Sequence, residues 1–136
     1  MTELIQAFEE TDYIVFHQPN FTLRVGQNST ELDTLLNESG FECAVFITAW
    51  NPMSQPLSQE RNLERQHNLL VEIQDRGFST LPGIGQHPSN EWPGEESILV
   101  IGMQLEIGKA LALAFGQLAF VYGEKGCRTR LIETKQ

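Results

Sequence analysis

Positive charge is what this chain has least of. Nine Lys and Arg stand against eighteen Asp and Glu, for a net charge of -9. A surface so biased repels phosphate backbones and anionic headgroups, which argues against nucleic acid or a membrane as partner. Cysteine is scarce: Cys43 and Cys127 are the only two. That is too few for a disulfide-stapled scaffold, and the expectation is two reduced thiols in a cytoplasmic protein. No apolar run approaches the ~18 residues that a membrane span requires. The opening stretch MTELIQAFEETD is acidic and poor in apolar residues, unlike a secretory or organellar leader. Phosphate-binding P-loop and serine-hydrolase elbow motifs are both missing.

Histidine is equally sparse, with His17, His67 and His87 the full set. Glu64 and His67 have the Glu-x-x-His spacing of di-iron proteins. That chemistry needs a second copy and further carboxylates on facing helices, and neither is present. No metal site is expected, and the cofactor, if any, is not indicated. Cys43 opens an apolar run, a setting for inert packing rather than nucleophilic attack.

What the chain does have is enough apolar residues to fold. It is 136 residues long and 40% apolar, the dimensions of a single globular domain over 1–136. A chain this long buries roughly two-thirds of its unfolded surface without staples. Residues 2–10 have amphipathic helical spacing through Leu4, Ile5 and Phe8. Tyr13–His17 and Phe21–Val25 flank Gln18-Pro19-Asn20 and predict a hairpin. Ser29 or Thr30 caps a short helix carrying Leu32, Leu35 and Leu36, which Gly40 ends.

Phe41–Trp50 is apolar nearly throughout and predicts a strand covered on both faces. Ser58 caps a long helix whose buried stripe is expected at Leu63, Leu70 and Ile73, with Gly77 as its stop. Strands are expected at Phe78–Leu81, Ile98–Met103 and Leu118–Tyr122, a helix at Glu106–Phe115, and a last strand at Arg128–Ile132. From 41 to 122 the order is βαββαβ. The fold class is therefore α+β, with a ferredoxin-like split β-α-β core, an added N-terminal hairpin and a C-terminal strand. A three-layer α/β sandwich is the alternative. Residues 82–97, PGIGQHPSNEWPGEES, read as a sixteen-residue loop. Loops longer than about 12–15 residues are usually functional or disordered.

The polar residues gather where the apolar strand gives way to the helix. Thr48, Asn51, Ser54, Ser58, Asn62, Arg65 and Gln66 fall within this junction. Spacings of three and four put Asn62, Arg65 and Gln66 on one side of the helix's first turns. A helix N-terminus with an arginine fork suits a carboxylate or phosphate. The bland reading gives the same residues to turn-making, capping and solvent, and position by position it is the stronger one. Gly83-Ile84-Gly85-Gln86-His87-Pro88 is not a dinucleotide fingerprint, because no third glycine and no helix follow. Of Glu95 and Glu96, adjacent on a strand, at most one faces a given site.

These stretches resemble a bacterial family known only as domain of unknown function 3293. The match is carried by VFITAWNPMSQPLSQERNLERQ at 45–66, then Gly77, LPGIGQHP, WPGEESILVIG and FGQLAFVYG, in order. It covers roughly residues 11 to 123. The resemblance implies a bacterial domain and no reaction. It also implies emphasis on Thr48, Asn51, Pro52, Ser54, Asn62, Arg65, Gly83, Trp92, Glu96, Ser97 and Gln117, on segments that could meet at one end of the sheet.

The expected function is binding of a small polar, anion-type ligand at residues 48–66. Thr48, Asn51, Ser54, Asn62, Arg65, Trp92, Glu96 and Gln117 are the ligand-binding candidates, with loop 82–97 as cover and Trp92 above the ligand. No catalytic residue is assigned. The alternative is a non-catalytic acidic module that meets a protein partner at an exposed edge near 127–133, partly blunted by Arg128, Arg130 and Lys135.

Overall fold

Five consecutive buried residues, Cys43 to Ile47, need apolar cover on both sides. The computed structural model describes residues 2–134 and shows how they get it. The chain runs α1 (Thr2–Glu10), β1 (Asp12–Val15), β2 (Phe21–Leu23), α2 (Thr30–Ser39), β3 (Cys43–Ile47) and α3 (Gln59–Asp75). It continues through β4 (Ser79–Gln86), β5 (Glu95–Ile101), α4 (Leu105–Ala114), β6 (Ala119–Glu124) and β7 (Arg130–Glu133). The fold is α+β. Among the described residues, seven strands form one sheet in the order β2-β1-β4-β5-β3-β6-β7. Every neighbouring pair is antiparallel.

Side chains alternate along β3, so its two faces feed two cores. Cys43, Val45 and Ile47 join Leu69 and Ile73 of α3, Leu111 and Ala112 of α4, and Ile98 and Val100 of β5. Ala44 and Phe46 join Leu32 and Leu36 of α2, with Tyr13, Val15, Leu99 and Ile101. Helices therefore lie on both faces. Full burial of each large aliphatic side chain contributes about 1.5–3 kcal/mol. Ser29 caps α2 by accepting from Leu32 N–H, and Gly40 closes it in the left-handed conformation. Ser58 Oγ does the same for α3, accepting from Arg61 N–H at 3.2 Å.

The structure corrects three expectations. The strand expected at Phe41–Trp50 is shorter: Phe41 is exposed, and the strand ends at Ile47. The buried stripe of α3 is Asn62, Gln66, Leu69 and Ile73, not Leu63, Leu70 and Ile73. Leu63 is 40% exposed and Leu70 is half-buried. The sixteen-residue loop does not exist as such, because β4 runs on to Gln86, β5 starts at Glu95, and only 87–94 connect them.

Glycine and proline disguised that hairpin. β4 is clamped between β1 and β5. A Cβ on Gly83 would meet the Ile14 carbonyl at 2.6 Å and the Phe46 ring at 2.8 Å, so only glycine fits so close an approach. Pro82 offers its carbonyl to Phe16 N–H at 2.9 Å, which keeps it in the sheet despite its missing donor. Lys135, expected to blunt the last edge, lies outside the described residues.

Candidate functional site

Beyond Ile47 the chain leaves the sheet and makes a turn that no repeating hydrogen-bond pattern satisfies. Asn51, Met53 and Ser54 all have positive φ, at 44°, 56° and 58°. Such backbone costs of order 1–3 kcal/mol per residue and persists only where the surroundings over-determine it. The polar side chains of α3 supply that determination. Ala49 N–H donates to Gln66 Oε1 at 2.8 Å, and Ala49 C=O accepts from Arg65 Nε at 3.0 Å. Asn51 N–H donates to Asn62 Oδ1, and Asn62 Nδ2 donates to Asn51 Oδ1, both at 2.8 Å. Asn51 Oδ1 also accepts from Leu57 N–H, which folds the turn back toward the start of α3.

Two further connections tie the turn to the rest of the molecule. Thr48 Oγ1 donates to Glu96 C=O at 2.6 Å, and Asn51 Nδ2 donates to Glu95 Oε2 at 3.1 Å, joining the turn to β5. Gln117 Nε2 donates to Trp50 C=O at 3.1 Å, and an Arg65 terminal nitrogen donates to Phe115 C=O, joining it to the end of α4. Thr48, Asn51, Asn62, Arg65, Gln117 and the main chain of Glu96 are thus brought together. Ser54 is exposed at the end of the 3-10 turn Pro52–Ser54. Trp92 is 51% exposed in the β4–β5 connection, edge-to-face with His87 at 4.6 Å between ring centres.

Glu95 and Glu96 divide as strand alternation requires. Burial pushes the Glu95 carboxyl above its usual range, and the hydrogen bond from Asn51 partly opposes the rise. The Glu96 side chain is exposed and faces a groove.

That groove, about 430 Å³, runs between α3 and the β4–β5 hairpin. Leu63, Gln66, His67 and Leu70 line the helix side. Thr80, Leu81, Pro82, Glu96, Ser97 and Ile98 line the sheet side. Its size lies within the common range for small-molecule sites. Gln66 is only 7% exposed, and its Nε2 has no hydrogen-bond partner among the described residues. The amide cannot be turned over to relieve this, because Oε1 must accept from Ala49 N–H. A buried donor without an acceptor costs about 1–3 kcal/mol.

Gln66, His67 and Leu63 as groove residues, and Glu95 as the buried carboxylate, stand outside the sequence-based ligand candidates. A signal for Gln66 was available. Asn62, Gln66, Leu69 and Ile73 share one helical stripe, and Leu69 and Ile73 are apolar, so the two amides had to face inward as well. A second cavity, about 380 Å³, lies at the other end of β3 beside Glu42, Cys43, Tyr122 and Glu124. Among the described residues, no group of three or more His, Cys, Asp or Glu side chains is placed to hold a metal ion. No described helix is long and apolar enough to cross a membrane.

The sequence pattern of the family described as "Protein of unknown function (DUF3293)" matches residues 47–120. The chain belongs to this family. The matched span begins at the last residue of β3 and ends inside β6, so in this DUF3293 member it holds the whole turn, α3, the β4–β5 hairpin and α4. No curated protein and no solved structure matches the chain.

Proposed function

We propose that this protein binds a small organic molecule in the groove between α3 and the β4–β5 hairpin. The single observation that carries the reading is Gln66 Nε2, a buried donor without an acceptor in a residue of the groove wall. Buried polar groups are satisfied in the great majority of cases, so Gln66 Nε2 calls for an acceptor, and a carbonyl or carboxylate oxygen of a ligand seated beside Gln66 would supply one. Leu63, Leu70, Pro82 and Ile98 would cover its apolar part.

In this reading Thr48, Asn51, Asn62, Arg65 and Gln117 are supports. They hold the turn that holds the Gln66 amide, and the groove takes its shape from them. Arg65 gives two of its nitrogens to carbonyls, which favours a neutral or zwitterionic ligand over the simple anion its guanidinium suggested. Residues 41–122 are read as a ferredoxin-like split β-α-β unit. The strand order β4-β5-β3-β6 and the packing of α3 and α4 in one core support this. A non-catalytic acidic module is the second reading, favoured by the outer position of β7 in the sheet.

The test is a thermal-shift panel of carbonyl, carboxylate and amine compounds. A ligand at about 100 times its dissociation constant stabilises the fold by ~2.7 kcal/mol. Gln66→Glu keeps the acceptor for Ala49 and removes the donor, so hits should vanish. Leu63→Trp places a large side chain at a site already open to solvent and should block the groove without touching the core. Hits that survive both variants, or a panel without hits, would overturn the reading.

A further inference from the structure

The groove beside α3 opens onto a sheet face that no core covers. Register and strand alternation put Thr22, Ile14, Ile84 and Glu96 in one row across β2, β1, β4 and β5. Phe16, Pro82 and Ile98 make the next row. Ile98 belongs to the core beneath α3, so both rows lie on the α3 side. Among the described residues, that core contains no residue of β2, β1 or β4. Ile14 and Ile84 are half-buried and join neither core, and Phe16 is 42% exposed. Helix α1 is held toward the other side, where Tyr13 of the α2 core donates its hydroxyl to the Phe8 carbonyl at 2.6 Å.

Width and charge specify the occupant. Strands lie about 4.8 Å apart, so β2 to β4 spans about 10 Å, the diameter of one helix. The α3 wall beside this space has an acidic lip. Glu60 and Glu64 are exposed, and helical spacing sets them next to Leu63 and His67 of the groove. Glu96, also exposed, stands opposite them on the sheet. No Lys or Arg lines the groove; Arg65 turns away to the Phe115 carbonyl, and Arg24 of the open face is held by Asp12 at 2.9 Å. An apolar face rimmed by uncompensated charge of one sign suits a partner of the opposite sign.

We infer that this face docks a basic amphipathic helix of a partner protein. The helix lies beside α3, its apolar stripe on Ile14, Phe16, Pro82 and Ile84, its Lys or Arg flank against Glu60, Glu64 and Glu96. The inference goes beyond the groove reading and makes no use of the Gln66 donor.

The experiment titrates the whole protein into a fluorescent synthetic peptide of about four helical turns, with Leu on one stripe and Lys elsewhere. A scrambled peptide of the same composition and a Leu/Glu peptide are the controls. Only the striped Leu/Lys peptide should bind, and more weakly as salt rises. Phe16→Gln, outside the groove, and Leu63→Gln should each weaken binding by about fivefold or more. Both side chains are already at least 40% exposed, so the fold tolerates the changes. Leu113→Gln, at an equally exposed position on α4, should change nothing. Glu60→Gln with Glu96→Gln should flatten the salt dependence. No binding, equal binding of the scrambled peptide, or a loss in Leu113→Gln matching that in Phe16→Gln overturns the inference. A weakening by Leu63→Gln alone would confine the peptide to the groove and also overturn it. A dimer of the protein alone that Phe16→Gln dissociates would give the face to a second copy and overturn the partner assignment.

Discussion

Asn51 and Asn62 bind each other twice, through Asn51 N–H to Asn62 Oδ1 and Asn62 Nδ2 to Asn51 Oδ1, each at 2.8 Å. Asn62 is 1% exposed, so water cannot replace either bond. The pair fixes a left-handed Asn51 at the point where the chain leaves the sheet. Asn62→Ala strands a main-chain donor and removes the donor from the Asn51 side chain. Its expected cost is about 2–3 kcal/mol, read from urea unfolding. Asn62→Asp restores the acceptor alone and should recover only part of the loss. A cost within about 0.5 kcal/mol, typical of an indifferent surface site, would show that the pair does not hold the turn.

Arg65 and Gln117 reach the same acceptor. Both donate to the Phe115 carbonyl, and each also holds a second carbonyl of the turn, Ala49 for Arg65 and Trp50 for Gln117. Lysine cannot span two carbonyls as the guanidinium fork does. Arg65→Lys should therefore cost about 1.5–3 kcal/mol, in the range of a lost hydrogen bond to a charged group. Together, Arg65→Met and Gln117→Leu leave the Phe115 carbonyl with neither side-chain donor. The pair should lose more than the sum of the single variants, by about 0.5 kcal/mol or more. Strict additivity in a double-mutant cycle would refute the shared-acceptor account.

These two clusters show what a sequence can and cannot disclose. The residues were legible: Thr48, Asn51, Asn62, Arg65 and Gln117 all meet around one turn. Their employment was not, because a polar side chain near a helix start serves a ligand, a cap or a distant carbonyl with the same letters. Elements with strong local rules were readable, among them α2 between Ser29 and Gly40, α3 from its Ser58 cap, and the buried β3. The β4–β5 hairpin was not. Gly83, Gly85 and Pro82 are turn-formers by local rule, and here the pairing of β4 with β1 and β5 overrides that rule, with the close approach of β1 and Phe46 dictating glycine at 83. Leucines alone do not mark the α3 stripe, because the buried amides Asn62 and Gln66 continue it at the helix's polar end.

Gly83 and Gly85, two residues apart in β4, differ sharply in their surroundings. A Cβ at Gly83 meets backbone and ring atoms under 3 Å, whereas at Gly85 the nearest atom is Tyr13 Cδ1 at 3.7 Å, an ordinary contact. Gly83→Ala should cost about 1–3 kcal/mol through overpacking. Gly85→Ala should be near neutral or slightly stabilising, because it removes freedom from the unfolded chain. Equal effects on the urea midpoint would mean that neither glycine is there for close approach.

Glu95 gives the fold a specific pH response. Burial raises its carboxyl above the usual range, so the folded state holds a proton that the unfolded chain releases at lower pH. The stabilising effect is complete below the ordinary Glu value, and it is lost as pH rises through the higher folded value. The adjacent Tyr13 phenol does not compete in this window, since burial, with the charges of Glu95 and Glu9 adding to it, pushes it upward from an already high value. Glu95→Gln retains an oxygen to accept from Asn51 Nδ2 and removes the ionisation. The variant should therefore unfold at higher urea than the natural protein at neutral pH, with the difference shrinking to nothing in acid. Urea midpoints of both proteins between pH 4 and pH 8 supply the check. A difference that instead grows toward acid would mean that the ionised carboxylate, held by Asn51, is the form the fold prefers, and the burial argument would be wrong in sign.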